Sequence, residues 1–172
     1  QTVADINPGT TGSYIFQMTV YNNKVYFVTD HPTYGSELWS TDGTAAGTQI
    51  VKDINPGTGS SGMSLSTLNI VNDKLVFTAN DGVNGSRLWS SDGTTAGTKT
   101  ISPTMNVNNI IGAGSTTMNN SIYFPGTSGG TQLWKSDGTE AGTVKVADIV
   151  SVTGGSGINI PVTVGNNIFF KV

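Results

Sequence analysis

The sequence predicts an all-β chain, a β-propeller or a portion of one, built of four-stranded antiparallel blades. Three observations carry that expectation. One phrase occurs three times, as Leu38-Trp39-Ser40-Thr41-Asp42-Gly43-Thr44, Leu88-Trp89-Ser90-Ser91-Asp92-Gly93-Thr94 and Leu133-Trp134-Lys135-Ser136-Asp137-Gly138-Thr139. Its tryptophans, the only three in the chain, lie 50 and then 45 residues apart, a period at which repeated units bury their apolar faces against each other. Tight hairpin signals precede each phrase, with an Asn/Asp pair between apolar runs at Asn22-Asn23, Asn72-Asp73 and Asn119-Asn120, and a fourth pair, Gly165-Asn166, follows the last phrase. Such pairs accept the positive φ angles of a type I′ turn. Finally, Val25-Tyr26-Phe27-Val28 is apolar on successive residues, the mark of a strand buried on both faces. Sheets of four strands covered on both faces and repeated at this period are propeller blades.

Taken in order, the first unit has expected strands at about 14–21, 24–29, 36–41 and 48–54. The second has them at about 64–71, 74–79, 86–91 and 98–102, and the third at about 108–118, 121–125, 131–136 and 143–149. Strands one and two meet at the Asn-rich turn, and strands three and four at the Asp-Gly-Thr-x-x-Gly-Thr loop. The connector Asp5-Ile6-Asn7-Pro8-Gly9 returns as Asp53-Ile54-Asn55-Pro56-Gly57, a Pro-Gly turn leading from one blade to the next. The repeats thus span about 11–54, 58–102 and 106–149. The third is degenerate, with Pro125-Gly126 inside its second strand and no Asn-Pro-Gly after Asp148-Ile149. Thr2 to Ile6 matches an outer fourth strand, and 158–172 matches a first and a second strand of a partial blade. No Leu-Trp strand joins them, so the sequence is expected to be the opening portion of a longer chain. Open blade edges and an exposed apolar face would make 1–172 sticky unless a partner or further blades cover them.

Composition narrows the function classes. Only 11% of the 172 residues are charged and 23 are glycine, a turn-rich β profile. A net charge of −3 with scattered lysines offers no basic stripe, so no nucleic-acid partner is expected. No apolar run approaches the ~20 residues of a membrane helix, and no membrane insertion is expected. With no cysteine, disulfides and thiolate metal sites are ruled out. The chain opens on Gln1 rather than Met, which is expected equally of a terminus processed by signal-peptide removal and of a trimmed or fragmentary chain.

The phrase Glu37-Leu38-Trp39-Ser40-Thr41-Asp42-Gly43-Thr44, with its lead-in Val51-Lys52-Asp53-Ile54-Asn55-Pro56-Gly57, resembles the bacterial ELWxxDGT repeat family over nearly the whole chain. Arg87 and Gln132 replace the motif's glutamate in the second and third copies. The resemblance implies an exported, extracellular or cell-surface protein of the kind common in Bacteroidota. Such proteins are often handed to the type IX secretion machinery by a sorting domain, which is expected to lie outside residues 1–172. The family implies location rather than a shared catalytic activity.

Asp42, Asp92 and Asp137 invite two readings. As functional groups they would offer carboxylates to Ca²⁺. As structural groups they accept hydrogen bonds within an Asx-type turn, with Gly43, Gly93 and Gly138 in the left-handed position. One carboxylate per loop is sparse for calcium, so the turn is expected, and no metal or cofactor. The loop is also similar to the Asp-box of sialidase-type propellers, but its aspartate and glycine are adjacent and its tryptophan comes first, so no sialidase activity follows. Trp39, Trp89 and Trp134 could stack on sugars, yet their identical place in every unit is what packing between blades requires. Tyr34, in a variable loop, is the expected exposed aromatic. His31, the one histidine, sits beside Pro32 without a Gly-x-Ser-x-Gly elbow, and is expected to be solvated rather than catalytic. The resulting expectation is an exported structural or adhesive scaffold whose partner is a surface glycan or protein. A carbohydrate-binding propeller is the alternative, and a hydrolase with active groups outside this segment the second alternative.

Overall fold

A computed structural model of the chain describes residues 2–9, 12–63, 68–102, 115–127, 131–147 and 159–171. Among them there is no helix, and the strands form four antiparallel sheets. The first holds β1 (Ile15–Tyr21), β2 (Lys24–His31), β3 (Gly35–Thr41) and β4 (Gln49–Lys52), side by side in that order. The second repeats the plan with β5 (Asn69–Val71), β6 (Lys74–Asn80), β7 (Ser86–Ser91) and β8 (Lys99–Thr100). The third does so with β9 (Thr116–Met118), β10 (Ser121–Thr127), β11 (Thr131–Ser136) and β12 (Val144–Ala147). The fourth is a two-stranded sheet of β13 (Asn159–Val164) and β14 (Asn167–Lys171). No closed ring of sheets forms among the described residues.

The turns follow from residue chemistry. Asn22, Asn23, Asn72, Asp73, Asn119 and Asn120 all take φ between 46° and 58°, the left-handed pair of a type I′ hairpin. The fourth turn departs from that expectation, since Gly165 (φ 58°) takes a positive φ and Asn166 does not; that is the type II′ pattern, where glycine leads. Pro125 is accommodated within β10 because β9 pairs only as far as Tyr123. Beyond that point the missing N–H of proline interrupts no ladder on that side.

The outer strands are shorter than the sequence suggests. Expected spans 48–54 and 98–102 become Gln49–Lys52 and Lys99–Thr100, because chain leaving the sheet turns its apolar residue into a junction instead of the ladder. Ile54 and Ile101 are both buried between sheets. Parts of the expected strands at 64–71, 108–118 and 143–149 lie outside the described residues. Thr2 to Ile6 forms no strand, since no Leu-Trp strand is beside it to pair with; Ile6 is buried with Phe27 and Trp39 instead.

A trio recurs in each of the first three sheets: Ile6–Phe27–Trp39, Ile54–Phe77–Trp89 and Ile101–Phe124–Trp134. In each sheet the phenylalanine stands directly opposite the tryptophan across the strand pair. The isoleucine of the connector then closes on both rings. Tyr21, Tyr26, Leu38 and Val51 of the first sheet complete the cluster around Phe77 and Trp89 of the second. Each sheet therefore has a front face toward the following sheet and a back face toward the preceding one. A β-bulge between β3 and β4, repeated between β11 and β12, sets Val51 into the front-face cluster and leaves Ile50 against the back-face trio.

Candidate functional site

Antiparallel strand order sends the Asn turns and the Asp-Gly-Thr loops to one end of the sheets. The β2–β3 loops and the connectors lie at the other end.

At the first end, the three Asp-Gly-Thr loops share one hydrogen-bond pattern. The Asp42 carboxylate accepts from the Thr44 N–H at 2.9 Å and from its Oγ1 at 2.7 Å, as Asp92 does from Thr94 and Asp137 from Thr139. These hydroxyl and amide donors hold all three carboxyls below the usual aspartate range. The Thr44 hydroxyl in turn accepts from the Gly47 N–H at 2.9 Å, and a side chain on Gly47 would overlap the Asp42 carboxylate. Gly43, Gly93 and Gly138 take φ of 92°, 89° and 84°, which only glycine adopts without strain. Among the described residues no group of three or more His, Asp or Glu is placed to hold a metal. Melting temperatures in chelator and in excess Ca²⁺ should therefore agree, because a specific site would raise stability by mass action. An upward shift with Ca²⁺ that Asp92→Asn removes would show that these loops bind the ion.

These loops also stitch neighbouring sheets. The Thr95 hydroxyl donates to Val51 O at 2.7 Å, and Lys52 Nζ to Thr98 O at 2.7 Å. Asn72 Nδ2 donates to Asp137 O at 3.0 Å, and the Tyr21 hydroxyl to Asp73 O. Trp39 and Trp89 are buried and Trp134 is half-buried. Only the Trp89 indole N–H has a partner, Ala79 O at 3.1 Å; the indole N–H groups of Trp39 and Trp134 are buried without one.

At the opposite end the β2–β3 loops differ between repeats. Tyr34 is half-buried rather than exposed, because its ring stacks on His31 at 4.8 Å and meets Trp39 edge-on at 6.5 Å. His31 belongs to the end of β2, its ring centroid 5.4 Å from that of Trp39. Its Nδ1 accepts the Thr33 N–H at 3.1 Å, so the imidazole is held as a stacking group. In the second sheet the same loop is folded around Asp81, which accepts from the N–H groups of Val83 and Asn84.

Sequence reading missed the role of Glu37. Its side chain is fully buried, with Oε1 accepting the Asn55 N–H at 3.0 Å and Oε2 left without a partner. Burial pushes its carboxyl up to about 7 against the pull of those hydrogen bonds. The available signal was the aligned position itself, occupied by Glu37, Arg87 and Gln132 beside an otherwise constant Leu-Trp.

No model of a known protein family matches the chain, and no curated protein matches it.

Proposed function

We propose that the chain is an exported, non-enzymatic scaffold of the cell surface or extracellular space, built as successive propeller blades that present variable loops to a glycan or protein. The observation that carries this reading is the division between its two ends. The repeated Asp and Thr groups are engaged in the same hydrogen bonds within each loop, and the tryptophan rings pack in the Ile–Phe–Trp trios. Chemistry that varies between repeats gathers at the β2–β3 end. A rigid frame with variable loops at one end is the arrangement of many binding modules. The export expectation rests on the resemblance of the Leu-Trp-x-x-Asp-Gly-Thr phrase to the ELWxxDGT family.

A second reading, carbohydrate binding, is favoured by the half-buried His31 and Tyr34 rings at the β2–β3 loop, since aromatic rings suit the apolar side of a sugar. Glycan and peptide arrays probed with the chain test both. Ligand retention that Tyr34→Ala or Asn84→Ala alters and Asp42→Asn leaves unchanged is the expected result. Reproducible turnover of a glycan or peptide, lost in His31→Ala, would overturn the non-enzyme reading.

A further inference from the structure

The junction of the second and third sheets lacks two tyrosine rings that the junction of the first and second has. At the first junction Tyr21 is 6% exposed and lies in one cluster with Leu75 and Phe77 of the second sheet. Its hydroxyl reaches across and donates to Asp73 O, in the tight turn of that sheet. At the next junction Val71 stands at the aligned position, and Asn119-Asn120 forms the aligned turn. Val71 is buried in one cluster with Ile122 and Phe124, which align with Leu75 and Phe77. It has no hydroxyl to give Asn120, the counterpart of Asp73.

A cavity of about 250 Å³ stands there, lined by Ile70 and Val71 on one side and by Met118, Asn119, Asn120 and Ser121 on the other. It is bounded by the residue that replaces Tyr21 and by the turn that replaces its acceptor. Tyr26 also gives way to a valine, Val76, but that loss is made good. Val76 is fully buried, and a side chain on Gly138 would begin 3.5 Å from it, so the loop of the third sheet rests against the smaller residue. The place of the Tyr21 ring is what stays open. Both walls belong to complete four-stranded sheets with a further sheet on either side of them.

We propose that this cavity binds a small phenolic ring, with its hydroxyl donating to Asn120 O and its ring lying against Ile70 and Val71. The chemical class is set by the first junction, where a phenol of the chain itself fills the aligned place. Such a ring has an apolar body to cover valine and isoleucine and a polar tip that keeps a hydrogen bond. An apolar cavity of about 150 Å³ already holds benzene, so the volume here is ample for one ring. The site lies at the turn end of the sheets, away from the β2–β3 loops, and does not depend on what those loops bind.

The probe is p-cresol, the tyrosine side chain as a free molecule. Titrated into the chain, it should shift the Met118 and Asn120 amide resonances saturably, with a dissociation constant on the order of 1–10 mM for so small a ligand. Toluene, which has no hydroxyl, should bind about threefold or more weakly. Val71→Tyr puts a phenol of the chain into the cavity and should weaken p-cresol binding about tenfold or more; far-UV circular dichroism verifies that the variant is folded. Tyr21→Val does the reverse and should open a second cavity. There p-cresol should also shift the Asp73 amide, and it should raise the melting temperature of that variant more than that of the wild type. N-acetyltyrosinamide tells a peptide's tyrosine from a free phenol, binding as p-cresol does in the first case only, and either result keeps the site. No saturable shift at Met118 and Asn120, equal binding of toluene, binding undiminished in folded Val71→Tyr, or no second site in Tyr21→Val would each overturn the proposal.

Discussion

Truncating Trp89 to alanine should destabilise the chain by about 3–5 kcal/mol, the range for removing a large aromatic from a packed interior. Trp89 is 7% exposed and lies in one cluster with Tyr21, Tyr26, Leu38, Val51 and Ile54 from the preceding sheet and its connector. Its loss would open a cavity at the junction of two sheets. The ring also supports Lys52, whose Nζ stands 5.7 Å from the ring centroid while bonding Thr98 O. The truncation therefore loosens a stitch between the sheets as well as the packing. Val20→Ala, at an exposed position of the first sheet, is the control and should change stability by no more than about 0.5 kcal/mol. Urea unfolding of the two variants measures the contrast. Equal midpoints would mean that Trp89 is a surface platform, and the sugar-stacking reading would gain.

Glu37 should make stability fall as pH rises from about 4.5 to about 7. Its carboxyl titrates near 4.5 in the unfolded chain and at about 7 in the folded one. Between these values the native state holds the proton and the unfolded state has released it, so each step up in pH favours unfolding. The contribution is complete below the lower value and lost above the higher one. It amounts to roughly 3 kcal/mol across the window. Asp42, Asp92 and Asp137, held below their ordinary range, act in the opposite sense and lose their contribution only as pH falls through the acid range. Glu37→Gln separates the two. Its amide oxygen can still accept the Asn55 N–H, and glutamine already stands at the aligned position 132. The stability difference between wild type and variant should decline between about pH 4.5 and pH 7 and be level above. Parallel pH profiles would show that water reaches the Glu37 carboxylate in the folded state.

How much of this was legible beforehand depends on the range of the interaction. The Asn pairs, the Asp-Gly-Thr loops and the three complete strand sets were readable because each is decided by residues a few positions apart. Left-handed φ at Asn22 and Asn23, or a carboxylate reaching the N–H two residues on, requires little from the rest of the chain. The Ile–Phe–Trp trio was half legible, since the phrase located the tryptophans and the connectors located the isoleucines. That they converge on one spot follows from stacking the sheets.

Burial was not local and was read less well. Tyr34 was expected in solvent because it lies in a variable loop, but His31 and Trp39, the latter on the neighbouring strand, provide rings for it to lie against. Thr2 to Ile6 has a strand's sequence and forms none, because a strand needs a neighbour and only side-chain burial was on offer. Glu37 carries nothing in its own neighbourhood that announces a raised pKa. The shift comes from burial under the folded connector, which outweighs the downward pull of the Asn55 N–H bonded to it. Sequence alone thus determined the repeat, its three Asn-paired turns and its inner strands, for these are set by short-range backbone preference. Tertiary structure alone decided which groups leave water and which faces remain open, because desolvation depends on atoms that only stacked sheets bring together.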